Sequence, residues 1–229
     1  MTEGIIDLLS LVTGGVAGLT NNTDPYVPLS FPLDVPNAGI TSVVWQLEQV
    51  RGVSESPFSL HRQVFKHAGE RWRATVLLSK CTREMAAGWR GLLLALDGGY
   101  GTFRFGDPFD LSPRGVAYGS PKVEGAGQTG KVLVTSGWNA NVANILRAGD
   151  RIQVGDGLHE IVRDTNSDAA GQATLDIWPR IRTSPGDQSA IITYAPKGLF
   201  QLASPNASLY ALGINGAYEV YGFNIVEAF

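Results

Sequence analysis

The first half of the chain is patterned mainly for strands. Val43, Val44, Trp45 and Leu47 are strand formers and predict a strand over residues 41–49. Residues 57–65 form a second candidate. Residues 71–79 give the clearest alternation: Trp72, Ala74, Val76 and Leu78 interleave with Arg71, Arg73, Thr75 and Leu77. That period of two predicts one buried face and one largely polar face. His67, Ala68, Gly69 and Glu70 are expected to turn the chain between the last two strands.

The period then changes. Met85, Trp89, Leu92, Leu93 and Leu96 form a single helical stripe. Thr82 can cap its start, Glu84 suits the positive end of the helix dipole, and Gly98 with Gly99 stops it. A stripe of this kind must be buried, and the preceding sheet is the nearest apolar surface. Residues 102–105 return to a strand, with Phe103 and Phe105 on one side and Asp107 and Pro108 ending it. A loop follows over residues 115–121.

From residue 122 to 182 the texture is neutral, with seven basic and seven acidic residues. Short strands are expected at 131–135, 151–154, 158–163, 174–177 and 190–194. Turns fall at Gly149 and Asp150, at Gly155, Asp156 and Gly157, and at Ala170 and Gly171. Closely spaced short strands imply a small closed barrel or sandwich, because closure removes exposed edges. Residues 209–227 are strand-like again. An inserted domain would send the chain back to complete the first sheet there. The expected organisation is an N-terminal arm with a short helix over 1–40, a β domain built from 41–121 plus 195–229 with its helix at 83–97, and an inserted small barrel over 122–194.

Composition agrees with a mainly β fold: 28 of 229 residues are glycine, which marks many turns. The net charge of −3 argues against general binding to the outside of a nucleic-acid duplex. A single cysteine, Cys81, excludes an internal disulfide framework and a thiolate zinc site. The apolar run from Ile5 to Leu19 contains Asp7 and several glycines and is too short for a membrane span. It also lacks the basic residues of a secretory leader. It reads as a short helix and flexible loop, or as an arm that packs on a neighbouring subunit.

Charge is unevenly distributed. Residues 1–50 hold five acids (Glu3, Asp7, Asp24, Asp34 and Glu48) and no Lys or Arg. Residues 51–90 hold eight basic residues, among them Arg51, Arg62, Lys66, Arg71 and Arg73, against three acids. The two segments either pair between copies of the chain or neutralise each other within one fold. The candidate subunit-interface residues are therefore Arg62, Arg71, Arg73, Asp24, Asp34 and Glu48.

Catalytic signatures are sparse. Residues 125–131 match the spacing of a phosphate-binding loop, but Val132 stands where Ser or Thr would hold magnesium, and a strand follows where a helix is needed. His61 and His67 share no face with a third ligand, and His159 sits alone in a strand. Cys81 lies at a helix start without a histidine nearby in sequence. Asp107 and Asp110 fit a turn better than a catalytic pair. No catalytic residue, cofactor or metal site is expected. Trp138, in a turn-rich stretch, is the candidate glycan contact, with Trp178 as a second stacking residue.

Two stretches resemble a known family. The first contains SLHRQVFKHAGERW, REMAAGWRGLLLALDG and YGTFRFGDP. The second contains VEGAGQTGKVLVTSGW, LRAGDRIQVGDGLHEIV and GQATLDIWPRIR. Together they resemble the distal tail proteins of long-tailed bacteriophages with non-contractile tails. The similarity covers most of residues 41–194, the final strands fit the family's closing strands, and residues 1–30 match nothing in it.

The resemblance implies a tail-tube-like β-sandwich or split barrel with one packed α-helix, plus an inserted small β-barrel domain. It also implies a virion protein that forms a hexameric ring at the tail tip. Such a ring joins the tail tube protein to the tip or baseplate hub proteins and surrounds the channel through which DNA leaves without specific binding. No membrane partner is implied. The competing expectation is a carbohydrate-binding tail module that reads the host surface through the inserted domain. A cell-wall hydrolase is a third, carried by no paired acid and base.

Overall fold

The computed structural model describes residues 29–36, 39–205, 211–212, 218–219 and 222–229. The expected N-terminal arm and short helix lie outside the described residues up to residue 28, as does Asp24.

The first sheet begins with β1 (Leu33–Asp34), β2 (Ile40–Glu55) and β3 (Arg62–Leu78). Next come β4 (Lys80–Cys81), the helix α1 (Arg83–Ala95) and β5 (Phe103–Phe105). Six more strands follow: β6 (Gly119–Val123), β7 (Gly130–Trp138), β8 (Arg151–Val154), β9 (Gly157–Ile161), β10 (Ala173–Ile181) and β11 (Ile191–Ile192). The chain ends with β12 (Gly198–Leu202), β13 (Ala211–Leu212), β14 (Tyr218–Glu219) and β15 (Phe223–Glu227). The protein is mainly β with one α-helix among the described residues.

The first six-stranded sheet has the order β1-β5-β12-β15-β3-β2. Its strands β5 and β12 are hydrogen-bonded neighbours, with Phe105 opposite Gly198 and Phe103 opposite Phe200. Between them the chain makes the second sheet, β11-β8-β9-β10-β7-β6. Backbone bonds from Val123 N to Ser189 O and from Gln188 N to Val123 O bring its two edges together into a nearly closed barrel. Branched aliphatics at alternate positions fill the barrel, including Val123, Leu133, Ile152, Leu175 and Ile177. A small third sheet joins β13, β14 and β4.

Helix α1 starts where Thr82 Oγ1 accepts a hydrogen bond from Met85 N, as its sequence position predicts. Ala86, Trp89, Leu92 and Leu93 face the sheet, where they meet Ala74, Val76, Phe103 and Ile225. The Trp89 and Phe223 rings lie 5.6 Å apart. Each fully buried Leu of this stripe contributes about 1.5–3 kcal/mol.

The hairpin connection differs from the sequence expectation. His67 to Glu70 do not turn the chain; they lie within β3, which pairs with β2 in one antiparallel ladder from Ile40–Leu78 to Glu55–Arg62. The turn is at residues 56–61. There Ser56 Oγ accepts bonds from the amides of Phe58 and Ser59, Leu60 N donates to Ser56 O, and Leu60 takes a positive φ of 55°. Gly69 has a packing reason instead. The ladder is irregular at residues 49–51, and a Cβ on Gly69 would stand 2.8 Å from Val50 Cγ2. Val50 crosses the partner strand where only glycine leaves room.

Candidate functional site

Burial along β3 changes abruptly at Gly69. Glu70, Trp72, Ala74 and Val76 are buried on the sheet, whereas Arg62 to Ala68 are all exposed. Beyond this point β2 and β3 leave the sheet as a two-stranded ribbon. Five register pairs, from Arg51–Lys66 to Glu55–Arg62, carry it roughly 17 Å outward. Phe58 at the tip is 98% exposed and Leu60 73%. Val53, Val64 and Phe65 are exposed on the ribbon strands. Arg51 faces Lys66 across the ladder, and Val53 faces Val64. Contact with Lys131 holds the Lys66 ammonium below the usual lysine range, and Arg51 acts in the same direction. A two-stranded ribbon is marginally stable alone in water, and this one also exposes apolar side chains along both strands and at its tip.

The ribbon's base is tied to the barrel. Glu70 is buried; its Oε1 accepts a bond from Arg180 N at 2.8 Å, and its Oε2 lies 2.9 Å from Lys131 Nζ. Burial pushes this carboxyl up, but Lys131 and the Arg180 amide outweigh it and hold it below the usual range. Glu227, buried on β15, accepts a bond from Trp72 N at 3.0 Å. Burial dominates there and pushes Glu227 up to about 7. Arg182 donates to Glu70 O and lies over the Phe229 ring at 3.4 Å. Trp72 donates its indole N–H to Leu158 O and meets Trp178 edge-on at 4.5 Å. These contacts fix the point from which the ribbon projects.

The charged residues singled out in the sequence separate into three places. Arg71 and Arg73 both reach Glu48 on the adjacent strand, at 2.5 and 3.4 Å. Their pairing is within the chain, and Arg71 foremost holds the Glu48 carboxyl below its usual range. Arg62 stands on the ribbon opposite Glu55. Asp34 is exposed on β1, at the other edge of the sheet.

The expected glycan platform is overturned. Trp138 is 4% exposed and donates its indole N–H to Thr135 Oγ1 at 2.8 Å, inside the barrel. Trp178 is buried against Trp72. Both rings complete cores, so neither presents a face to a sugar. The turn residues around Trp138 reflect Gly137, whose positive φ lets it press against Ser120 O.

The loop at residues 125–131 is filled by its own side chain. Gln128 donates to Glu124 O and accepts a bond from Val134 N, while Lys131 is engaged with Glu70. His159 is buried with Nδ1 2.7 Å from Pro179 O, and burial pushes it down to about 4, so it is neutral at pH 7. Cys81 is buried. Asp107 accepts bonds from Arg151 and Trp45 on one oxygen and from the Phe109 amide on the other, the last a turn contact. Among the described residues, no three His, Cys, Asp or Glu side chains come together as metal ligands, and no helix is long and apolar enough to cross a membrane.

Sequence reasoning missed the ribbon. A signal was available: over residues 50–66 apolar and charged side chains mix on both faces, without the one-sided alternation that marks a strand lying on a core. No protein-family model matches the chain, and no curated protein matches it in sequence.

Proposed function

We propose that this chain is a structural ring subunit at the distal end of a non-contractile phage tail. There it joins the tail tube to the tip hub and surrounds the channel through which DNA leaves. The observation that carries this reading is the projecting ribbon, which exposes Phe58, Leu60, Val53, Val64 and Phe65 on an element that has no core of its own. Such an element gains its stability from another chain. A contact in which one surface of a subunit meets a different surface of the next closes into a ring when the rotation allows it. The tail-specific part of the reading rests on the resemblance of residues 57–108 and 123–182 to distal tail proteins. The mainly β fold with one packed helix is consistent with it.

The test is size-exclusion chromatography with multi-angle light scattering, joined to negative-stain imaging of the full chain and of tails that contain it. Closed rings of about six copies at the tail tip are expected. A strictly monomeric chain at high concentration that is absent from assembled tails overturns the reading.

A further inference from the structure

The ring reading leaves open what covers the ribbon, and the inference drawn here rests on that reading. Sheet order places β1 and β2 at opposite edges. The ribbon grows from the β2–β3 edge, whereas residues 1–28 join the described chain just ahead of β1. A head-to-tail ring built through the two sheet edges would set the β1 edge of one copy against the β2–β3 edge of the next. In that arrangement the point where residues 1–28 join the described chain lies next to the neighbour's ribbon, whereas the ribbon of the same copy grows from the far edge of the sheet.

The chemistry of the two segments is complementary. Between Val50 and Gly69 the chain carries Arg51, Arg62 and Lys66 against one acid, Glu55. Arg51 and Lys66 face one another, so the ribbon concentrates positive charge without an opposing carboxylate in that register pair. Residues 1–28 carry Glu3, Asp7 and Asp24, contain no Lys or Arg, and include the apolar run of Ile5, Ile6, Leu8 and Leu9. Arg71 and Arg73 are already held by Glu48 and lie outside the ribbon, whose own basic residues are Arg51, Arg62 and Lys66. We infer that residues 1–28 of each copy lie along the exposed ribbon of the adjacent copy. Their carboxylates meet Arg51, Arg62 and Lys66, and their apolar side chains cover Phe58 and Phe65. Opposite charges fix the register and apolar burial supplies most of the affinity.

The experiment uses full-length protein. Isotopically heavy and light monomers are mixed, concentrated into rings, and treated with a zero-length carbodiimide, which condenses a carboxylate with a lysine amine. Lys66 is the one lysine between Val50 and Gly69. Amide links between Lys66 of one isotope and Glu3, Asp7 or Asp24 of the other are expected. In parallel, the triple variant Glu3→Lys, Asp7→Lys, Asp24→Lys is expected to weaken ring formation at least tenfold. Mixing it with the variant Arg51→Glu, Arg62→Glu, Lys66→Glu restores assembly. Links confined to a single isotope assign the ribbon to its own chain and overturn the inference. Rings that form without these links and ignore the triple reversal also overturn it, yet leave the ring reading intact. Absence of rings in the unaltered protein removes the ring reading and this contact together.

Discussion

Arg151 Nη1 lies 2.7 Å from Asp107 Oδ2 and joins the barrel to the segment that follows β5. The same carboxylate oxygen accepts the Trp45 indole N–H at 2.8 Å, and the guanidinium sits 4.7 Å from the centroid of the Trp45 ring. Both side chains are largely buried, at 12% and 13% exposure, so neither charge is well served by water. Burial pushes the Asp107 carboxyl up, but Arg151, the Phe109 amide and Trp45 together outweigh it and hold it below its usual range. Arg151→Ala leaves the carboxylate buried with no counter-ion and is expected to cost about 3–5 kcal/mol. Urea unfolding at pH 7 measures this, and a loss under about 1 kcal/mol refutes it. In the unaltered protein the contribution of Asp107 is present above its unfolded pKa and fades as pH falls through the lower folded value.

Two buried groups titrate in opposite senses. Glu227 is raised from 4.5 to about 7, so between these values the folded state holds a proton that the unfolded state has lost. Stability from this group therefore falls as pH rises through that window, by about 3 kcal/mol. His159 is lowered from 6.5 to about 4, so there the unfolded state binds the extra proton. Its contribution rises with pH, by about 3 kcal/mol over its own window. The two slopes oppose one another between about pH 4.5 and 6.5. Glu227→Gln keeps an acceptor for the Trp72 amide and removes one slope. Its unfolding midpoint is expected to climb steeply from pH 4.5 to 6.5, where the unaltered protein stays comparatively flat. Parallel curves for the two proteins count against the assignment.

Trp138→Ala removes a ring that fills the barrel and a donor that Thr135 Oγ1 accepts. A cost of about 3–5 kcal/mol is expected, read as a fall in the thermal midpoint. A variant that loses glycan binding while keeping its midpoint would restore the sugar-platform reading.

Phe58→Asp acts on a side chain that is 98% exposed. The monomer's unfolding free energy should move by no more than about 0.5 kcal/mol. Self-association, followed by light scattering, is expected to be lost. Intact rings from this variant would remove the hairpin tip from the contact.

The sequence made the helix and the core faces legible because their signals are local. The Met85-to-Leu96 stripe and the Thr82 cap correspond to α1, and the Trp72–Ala74–Val76 alternation corresponds to the buried face of β3. The hairpin turn was misread because glycine serves two purposes. Gly69 looks like a turn residue, but it is needed where Val50 crosses from the facing strand, a contact nineteen positions away in sequence. Trp138 was misread for a related reason: its neighbours are turn residues, and its own burial depends on a barrel closed by distant strands. The Asp107–Arg151 pair and the Glu70–Lys131 pair were invisible, because each joins two units whose docking no local pattern encodes.

The place of the barrel in the sheet carries a consequence for how such a molecule can change. Because β5 and β12 are ladder partners, everything between them occupies the position of a hairpin loop. The ladder's register is set by residues on either side, so the loop can grow, shrink or be replaced by another module while Phe103 still pairs with Phe200. What constrains the exchange are the seats at Trp72, Glu70 and Asp107, which any replacement must cover or pair as Leu158 and Trp178, Lys131 and Arg180, and Arg151 do now. The molecule thus separates a scaffold with a fixed lattice of strands from an appendage free to diversify.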